Sequence, residues 1–312
     1  MALIDGAKTA VITCMGVKKG EDVLILTDTE KEEIGEALFE VAQEVKANAM
    51  IVKMQPGTRH GEEPPKPIAE MMKFVDVIIA PTQYSVTHTQ ARKRANRAGA
   101  RVATMPGIIP SMMSSGGMTA DFKEVEKQVK KLAKILEGAK TVKIQTEIGT
   151  DLEVSVEGRN WYIDTGICHK KGEFINLPAG EVFIAPKEGT ANGKLIIDGA
   201  FWEILKEPVI IDVKDGYAKR ITGTKEIAKQ VSKRGKEGRN IAEVGIGMNP
   251  KAKIIGNVLE DEKVMGTVHV ALGDNSTFGG KCKAGIHIDG IIKDPTLLVD
   301  DETIMENGKL KV

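Results

Sequence analysis

The chain has 312 residues, 41% hydrophobic and 28% charged, a composition typical of a globular protein with room for two domains. Basic and acidic residues balance at 44 each, so the net charge of zero gives no reason to expect a nucleic-acid partner. No apolar run is long enough for a membrane span, and the first residues lack a signal-peptide pattern. The three cysteines contain no CxxC pair, which fits a reducing cytoplasm and argues against a disulfide framework.

Residues 1–140 alternate short apolar runs with longer amphipathic stretches. Strand-like runs occur at Val23–Leu26, Ala49–Val52, Val75–Ala80 and Arg101–Ala103, and helix-like stretches occur at Glu30–Lys46, Lys66–Phe74 and Val86–Ala98. Such alternation is typical of βαβ units and predicts an N-terminal α/β domain with a parallel sheet. No glycine-rich GxGxxG follows the first strand and no P-loop pattern is present, so we expect a scaffold and substrate wall without a nucleotide cofactor.

One histidine of this half, His88, lies in the stretch Val86–Ala98 beside several arginines. A solvated basic helix face explains its position better than metal binding does. A long helix is expected over Asp121–Gly138, and the domain boundary is expected near residue 140.

The pattern changes in residues 141–312, where short alternating runs are separated by turn residues. The turns at Gly149-Thr150-Asp151 and Asp215-Gly216 are typical of hairpins, and Thr222–Arg239 is the one long helix expected here. The second half is therefore predicted to be a β-rich α+β domain.

Two of the five histidines lie close together near the C-terminus. His269 interrupts an apolar run, where an unpartnered imidazole would be costly. His287 and Asp289 are two residues apart, so in a strand they point to the same face and can approach one ion.

Two glutamates interrupt apolar runs in the same half. Glu181 lies in Leu177–Pro186 and Glu243 in Ile241–Gly247, and carboxylates in such runs are seldom buried unless paired or bound to metal. Each residue alone could be a hydrogen-bonded core residue, but two imidazoles and three carboxylates together have the composition of a divalent-metal site. The sequence therefore predicts metal ligands at Glu181, Glu243, His269, His287 and Asp289.

The segments around these residues resemble the thermophilic-type metallo-aminopeptidases (aminopeptidase T, peptidase family M29). The resemblance is carried by NLPAGEVFIAP (176–186), AEVGIGMNP (242–250), EKVMGTVHVALGD (262–274) and HIDG (287–290), and in the first half by residues 87–108. It implies a two-domain enzyme with two divalent metal ions (zinc, cobalt or manganese) on those five residues. It also implies a peptide substrate, a homodimer and a proton-transfer role for Glu243 or Glu181.

The sequence departs from this family in length, at one residue, and in the short spacing between His269 and His287. The chain is shorter than typical members, and Ser276 stands where the family usually has a tyrosine after the first histidine. A tyrosine hydroxyl could stabilise a developing oxyanion, so another residue would have to take that role.

Two other functions are compatible with the same residues. The fold is similar to that of an iron-dependent dihydroxypyridine ring-cleaving dioxygenase, whose two-histidine, one-carboxylate iron site could be formed by His269, His287 and Asp289. A non-catalytic metal-binding or ligand-binding scaffold is the third hypothesis. The presence of both Glu181 and Glu243 makes the dinuclear metallo-aminopeptidase the preferred prediction.

Overall fold

The fold is described from a computed structural model of the chain, over residues 2–311. The helices in this range are α1 (Leu3–Lys8), α2 (Glu32–Glu44), α3 (Lys66–Met71), α4 (Gln90–Ala98), α5 (Pro110–Ser114), α6 (Phe122–Ile135), α7 (Lys225–Ser232) and α8 (Val258–Asp261). A π-helical turn, Thr9–Cys14, continues α1, and short 3₁₀ turns occur at Met72–Phe74, Gly117–Thr119 and Glu237–Arg239.

The strands of the described residues, in chain order, are β1 (Asp22–Asp28), β2 (Asn48–Met54), β3 (Val77–Thr82), β4 (Arg101–Pro106), β5 (Thr141–Gln145), β6 (Asp151–Ser155), β7 (Tyr162–Asp164), β8 (Phe174–Asn176), β9 (Glu181–Ile184), β10 (Asn192–Ile197), β11 (Ala200–Phe201), β12 (Glu203–Ile204), β13 (Val209–Lys214), β14 (Tyr217–Thr222), β15 (Ile241–Gly247), β16 (Val268–Gly273), β17 (His287–Ile292), β18 (Thr296–Val299), β19 (Glu302–Glu306) and β20 (Lys309–Leu310).

The first sheet is parallel, as the alternation of strands and helices predicts. Its order is β2-β1-β3-β4-β8, and every neighbouring pair runs parallel. Buried side chains of the strands, including Leu24, Ile78 and Val102, form one apolar cluster with Met72 and Ala91. The α/β class with a parallel sheet is therefore confirmed. Strand β8 was not predicted, because it is only three residues long and pairs with β4 far back in the chain.

Two expected helices are shorter in the structure. Helix α4 begins at Gln90, where the side chain of Thr89 accepts a hydrogen bond from the backbone of Arg92, and His88 lies before it in the preceding turn. The stretch 222–239 forms α7, capped by the side chain of Thr224, followed by a separate 3₁₀ turn. A polar side chain that accepts from the first turn fixes where a helix starts, and flanking residues then turn away.

The other two sheets are mostly antiparallel. One has the order β14-β13-β10-β6-β5-β18-β19-β20, and the other has the order β12-β11-β17-β16-β15-β9-β7. The second of these, called the site sheet below, carries the predicted metal ligands on its four adjacent strands β17, β16, β15 and β9.

The described chain forms two compact units. The first comprises the chain up to Glu126 with Asp164–Ala179 and Pro250–Ala252, and the second comprises Lys127–Ile163, Gly180–Asn249 and the chain from Lys253 onward. This grouping differs from a single boundary at residue 140, because the segment containing β8 pairs with the parallel sheet. No helix among the described residues is long and apolar enough to cross a membrane.

The first unit contains a nearly buried ion pair. Arg101 Nη1 and Nη2 lie 3.1 and 2.8 Å from the two oxygens of Glu21, and Arg101 Nε donates to the carbonyl of Met15. Arg101 is 5% exposed. Burial alone would raise the pKa of Glu21, but the hydrogen bond and charge of Arg101 lower it below the usual value. The pair therefore stabilises the folded state at neutral pH, and this contribution is lost as pH falls through the lowered pKa.

We expect Glu21→Gln to reduce the free energy of unfolding at neutral pH by about 1–3 kcal/mol, because a buried guanidinium loses its charged acceptor. Urea unfolding at neutral pH, and again below the usual glutamate pKa of about 4.3, measures the effect, which should shrink in acid. The control is Glu36→Gln, at an exposed position of α2. An equal loss of stability in both variants, or no loss in either, would contradict this account of the pair.

Candidate metal centre

The five predicted ligands project from one face of the site sheet. Glu181 begins β9, Glu243 lies in β15, His269 lies in β16, and His287 and Asp289 lie in β17. Alternate residues of a strand point to the same face. The register aligns these faces, because Ala271 of β16 is paired with both Glu243 and Asp289, and Gly245 is paired with His269. The structure thus brings all five residues together.

The carboxylate of Glu243 lies at the centre of this group. Its Oε1 is 3.3 Å from His269 Nε2, and its Oε2 is 3.4 Å from His287 Nε2. On the outer sides, Asp289 Oδ1 is 3.4 Å from His287 Nε2, and Glu181 Oε2 is 3.4 Å from His269 Nε2. Each imidazole is therefore bordered by two carboxylates.

Gly245 provides the space for one candidate ligand, and Gly247 lets the backbone of Val264 come close to β15. A Cβ added at Gly245 would lie 1.9 Å from His269 Nε2, and one added at Gly247, opposite Glu181, would lie 2.1 Å from the carbonyl oxygen of Val264. The imidazole of His269 therefore occupies the volume that a side chain at position 245 would fill.

Two further residues beside this face, Glu262 and Lys263, were not predicted from the sequence. The amine of Lys263 is fully buried and lies 2.5 Å from Glu181 Oε1 and 2.6 Å from Glu262 Oε1. Lysine is almost never fully buried unless it is paired. The adjacent charges of Asp261, Glu262 and Lys263 look like a solvated turn in the sequence, and no periodic signal indicates that the lysine points inward.

The ionisable groups of this face strongly perturb one another. Burial alone would raise the pKa of Glu243, but hydrogen bonds from both imidazoles lower it to about 2. Burial alone would lower the pKa of His269, but the hydrogen bond to Glu243 and the charge of Glu181 raise it to about 9. Burial alone would also lower the pKa of His287, but the nearby carboxylates of Asp289 and Glu243 raise it above the usual value. A cation that binds here would replace protons, because imidazole must be neutral to act as a ligand.

The pKa of Glu181 is raised, whereas that of Glu243 is lowered. Burial raises the pKa of Glu181 to about 8, although the nearby charge of Lys263 acts to lower it. Glu262 shows the same direction of shift for the same cause.

Buried polar atoms without hydrogen bonds show that the face suits a divalent cation. Glu181 Oε2, Asp289 Oδ1 and His269 Nδ1 make no hydrogen bond in the structure, and the 3.4 Å contact of Asp289 with His287 lacks hydrogen-bond geometry. Most buried polar atoms in proteins are satisfied, so two carboxylate oxygens that lie beside imidazole nitrogens without a hydrogen bond call for a partner. Imidazole nitrogen with carboxylate oxygen is a donor set that binds iron, zinc and similar metals.

His287 is also oriented as a metal ligand would be. Its Nδ1 lies 2.7 Å from the carbonyl oxygen of Asp274 and can donate to it, which leaves the Nε2 lone pair of the neutral ring facing Glu243 and Asp289. A hydrogen bond at one ring nitrogen commonly fixes the tautomer and orientation of a metal-binding histidine. Candidate ligand atoms group as Glu243, His287, Asp289 and as Glu181, Glu262, His269.

The remaining histidines and Ser276 have other surroundings. His60 Nδ1 accepts from the backbone of Ser85, and His169 Nε2 contacts the carbonyl of Thr13, both in the first unit. Ser276 donates through its backbone and its hydroxyl to Asp274 Oδ1, so it orders its own loop.

We expect Gly245→Ala to displace the imidazole of His269 and weaken metal binding by at least about tenfold, with a loss of stability of about 1–3 kcal/mol from overpacking. The backbone at position 245 is not in the left-handed region, so the effect is steric. Metal titration and urea unfolding measure both quantities. Gly57→Ala is the control, because its added Cβ would meet no atom closer than 3.4 Å. Unchanged metal affinity in Gly245→Ala would remove His269 from the centre.

Comparisons with known proteins distinguish between the reactions that such a centre could support. The sequence model of the NicX family, described as 2,5-dihydroxypyridine 5,6-dioxygenase, matches residues 4–312. A curated 2,5-dihydroxypyridine 5,6-dioxygenase from Pseudomonas putida is 22% identical over 192 residues. That alignment covers 56% of this chain and 55% of the relative, so it spans about half the relative's length.

Two solved structures share the fold over nearly the whole chain. A 2,5-dihydroxypyridine dioxygenase from Pseudomonas putida has a TM-score of 0.81 at 16% identity, with 98% of this chain and 96% of that chain covered. AmpT from Thermus thermophilus has a TM-score of 0.74 at 17% identity, with 99% of each chain covered. At these identities the likeness establishes the fold alone.

The predicted metallo-aminopeptidase activity is wrong, and so is the classification as a hydrolase and protease. The family model and the curated relative both correspond to a dioxygenase, whereas AmpT is similar in fold only. A small-molecule substrate remains consistent with the relatives, but neither a peptide substrate nor a homodimer gains support.

The family also bears on the cofactor. A dioxygenase of this description implies a metal, and the imidazoles and carboxylates of the site sheet are suitable donors for one. Since the family model spans almost the entire sequence, this chain belongs to the NicX family, the 2,5-dihydroxypyridine 5,6-dioxygenases.

Proposed function

We propose that this chain is an oxygen-dependent dioxygenase that opens a dihydroxylated pyridine or closely related ring. In this proposal one iron(II) ion is held by His269, His287 and Asp289. The observation that carries it is that the Nε2 atoms of both imidazoles lie against the carboxylate of Glu243, with the buried Asp289 beside His287, on one face of the site sheet. Family membership selects the reaction class among those that such a donor set supports.

The reaction class needs a redox-active centre. A bound iron(II) ion would supply the electron transfer that lets dioxygen react with the ring, which amino-acid side chains cannot do. A dioxygenase adds both atoms of dioxygen to its substrate, so a ring bond can break without an added reductant.

The protein's own residues would orient and screen the reacting groups. The hydrogen bond between His287 and Asp274 keeps that imidazole aligned. Buried Asp289 and His269 place their donor atoms in a region that excludes water, where electrostatic interactions are stronger.

Glu243 and Glu181 are the candidate proton acceptors. Glu243 faces both imidazoles, and Glu181 Oε2 has no hydrogen-bond partner. Glu243, held ionised between the two imidazoles, could accept a proton from a ring hydroxyl, and Glu181 could do so when it is ionised, in line with general-base catalysis.

The direct test is oxygen consumption by protein reconstituted anaerobically with iron(II) and then given 2,5-dihydroxypyridine. Stoichiometric oxygen uptake with loss of the ring's ultraviolet absorbance is expected. No oxygen uptake with this substrate, nor with a dihydroxylated benzene ring, would refute the proposed activity.

We expect His287→Ala and Asp289→Ala to abolish turnover and to lower metal occupancy at least about tenfold, because each removes a ligand while the cores remain intact. Metal analysis after anaerobic loading, together with circular dichroism, separates ligand loss from unfolding. The matched control is His88→Ala in the first unit, which should keep its metal and its activity. Wild-type turnover in either ligand variant would exclude that residue from the centre.

Glu243→Gln has a different expected outcome. If three other residues hold one ion, the amide variant keeps that ion but loses turnover by about two to four orders of magnitude, because an amide cannot accept a proton at neutral pH. Metal content and oxygen uptake are measured on the same preparation. Loss of the ion in this variant would instead make Glu243 a ligand, contrary to the proposed triad.

A further inference from the structure

A group of aromatic rings adjoins the candidate metal centre within the second unit. This aromatic cluster consists of Tyr162, Phe183, Phe278 and the imidazole of His287. Tyr162 and Phe183 are stacked with ring centroids 5.6 Å apart. The ring of Phe278 stands edge-on to Phe183 at 5.7 Å and to His287 at 5.8 Å. The cluster therefore runs continuously from a surface strand to a candidate metal ligand.

The cluster is unusual for this chain. Aromatic residues make up only 4% of the sequence, with seven phenylalanines, three tyrosines and two tryptophans. Three of these twelve lie here, and none of the three is fully buried: Tyr162 is 37% exposed, and Phe183 and Phe278 are half-buried. Contiguous apolar surface left open to water often marks a binding site.

The position of Phe183 links the cluster to the metal ligands. Phe183 lies two residues after Glu181 on β9, so both project to the same face. It is paired with Gly245, which is in turn paired with His269 on the next strand. Because Gly245 has no side chain, nothing at that position separates the phenyl ring from the imidazole.

The loop that carries Phe278 is held by polar contacts of its backbone and of neighbouring side chains. Glu188 Oε1 accepts from Asn275 Nδ2 at 3.2 Å and from the backbone nitrogen of Lys281 at 2.6 Å. Arg159 pairs with Glu188 and donates to the carbonyl of Gly279. These bonds position the loop without using the phenyl ring, part of whose surface stays exposed. A surface that is ordered before binding loses less entropy when a ligand arrives.

We propose that Tyr162, Phe183 and Phe278 form a stacking surface that selects planar aromatic substrates for this centre. The inference deepens the proposed function and rests on it for the reaction that follows binding. Aromatic rings attract one another in stacked and edge-on arrangements beyond the area that they bury. A saturated ring with the same hydroxyl groups lacks that attraction, so the surface discriminates by ring type.

The test is calorimetric binding to protein loaded with zinc, which cannot support oxygen chemistry. Two probes are used: 4-nitrocatechol, which is planar and aromatic, and cis-1,2-cyclohexanediol, which is saturated. Phe278→Leu retains apolar volume but removes the ring, and should weaken 4-nitrocatechol binding about tenfold, the effect of one aromatic pair. Binding of the diol should not change, and zinc content should stay at the wild-type level.

Two further variants make the result decisive. Tyr162→Leu should also weaken 4-nitrocatechol binding, and it tests the proposal independently if Phe278→Leu fails to fold. Phe74→Ala, at a 77% exposed phenylalanine of the first unit, is the matched control and should bind both probes normally.

Wild-type affinity for 4-nitrocatechol in both leucine variants would overturn the inference. Loss of zinc in Phe278→Leu would overturn it too, since the ring would then only support His287. Failure of the proposed function gives a different pattern, in which the variants discriminate between the probes but iron-loaded protein consumes no oxygen.

Discussion

Charge buried on the face of a sheet has to be compensated locally, and this constraint governs the candidate centre. His269 is fully buried and Glu181, Glu243 and Asp289 nearly so, where an isolated charge would be very costly. The groups meet that cost by mutual contact, with each imidazole between two carboxylates and the amine of Lys263 between Glu181 and Glu262. Broken buried pairs are strongly destabilising. The sheet, the candidate ligands and the lysine therefore form one electrostatic unit, in which a bound metal ion would compete with protons for the same atoms.

Much of this arrangement can be predicted from local pattern. Two glutamates interrupting apolar runs, and a histidine and an aspartate two residues apart, identify the face because strand geometry relates spacing to direction. The alternation of strands and helices similarly predicts the parallel sheet. Lys263 and Glu262 escape prediction because charged neighbours in a turn normally face water. Strand β8 and Phe278 escape it as well, since their roles depend on contacts with residues far away in sequence. Their positions follow from tertiary pairing, which a local pattern does not encode.

The reaction is harder to derive than the site. Imidazole and carboxylate ligands suit both a hydrolytic metal and a redox metal, and the same fold is found in AmpT and in a dihydroxypyridine dioxygenase. The resemblance of four short segments favoured the hydrolase, because those segments contain the five residues that would be the metal ligands of an aminopeptidase of this family. Because the same donor types suit both classes of metal, these segments do not by themselves separate a hydrolase from an oxygenase. The family match over residues 4–312 includes the residues around the centre, and it distinguishes the chemistry where the ligand set does not.

The absence of a side chain at Gly245 has a mechanical consequence. The space that the His269 imidazole occupies is created between the paired strands β15 and β16, rather than by a loop that could swing open. The hydrogen-bonded ladder between those two strands therefore sets the dimensions of this space. Paired core strands are among the elements of a protein that open least often. Amide hydrogens along this ladder should exchange slowly, and the spacing of the ligands should vary little with thermal motion. A centre built in this way keeps its geometry for as long as the two strands remain paired.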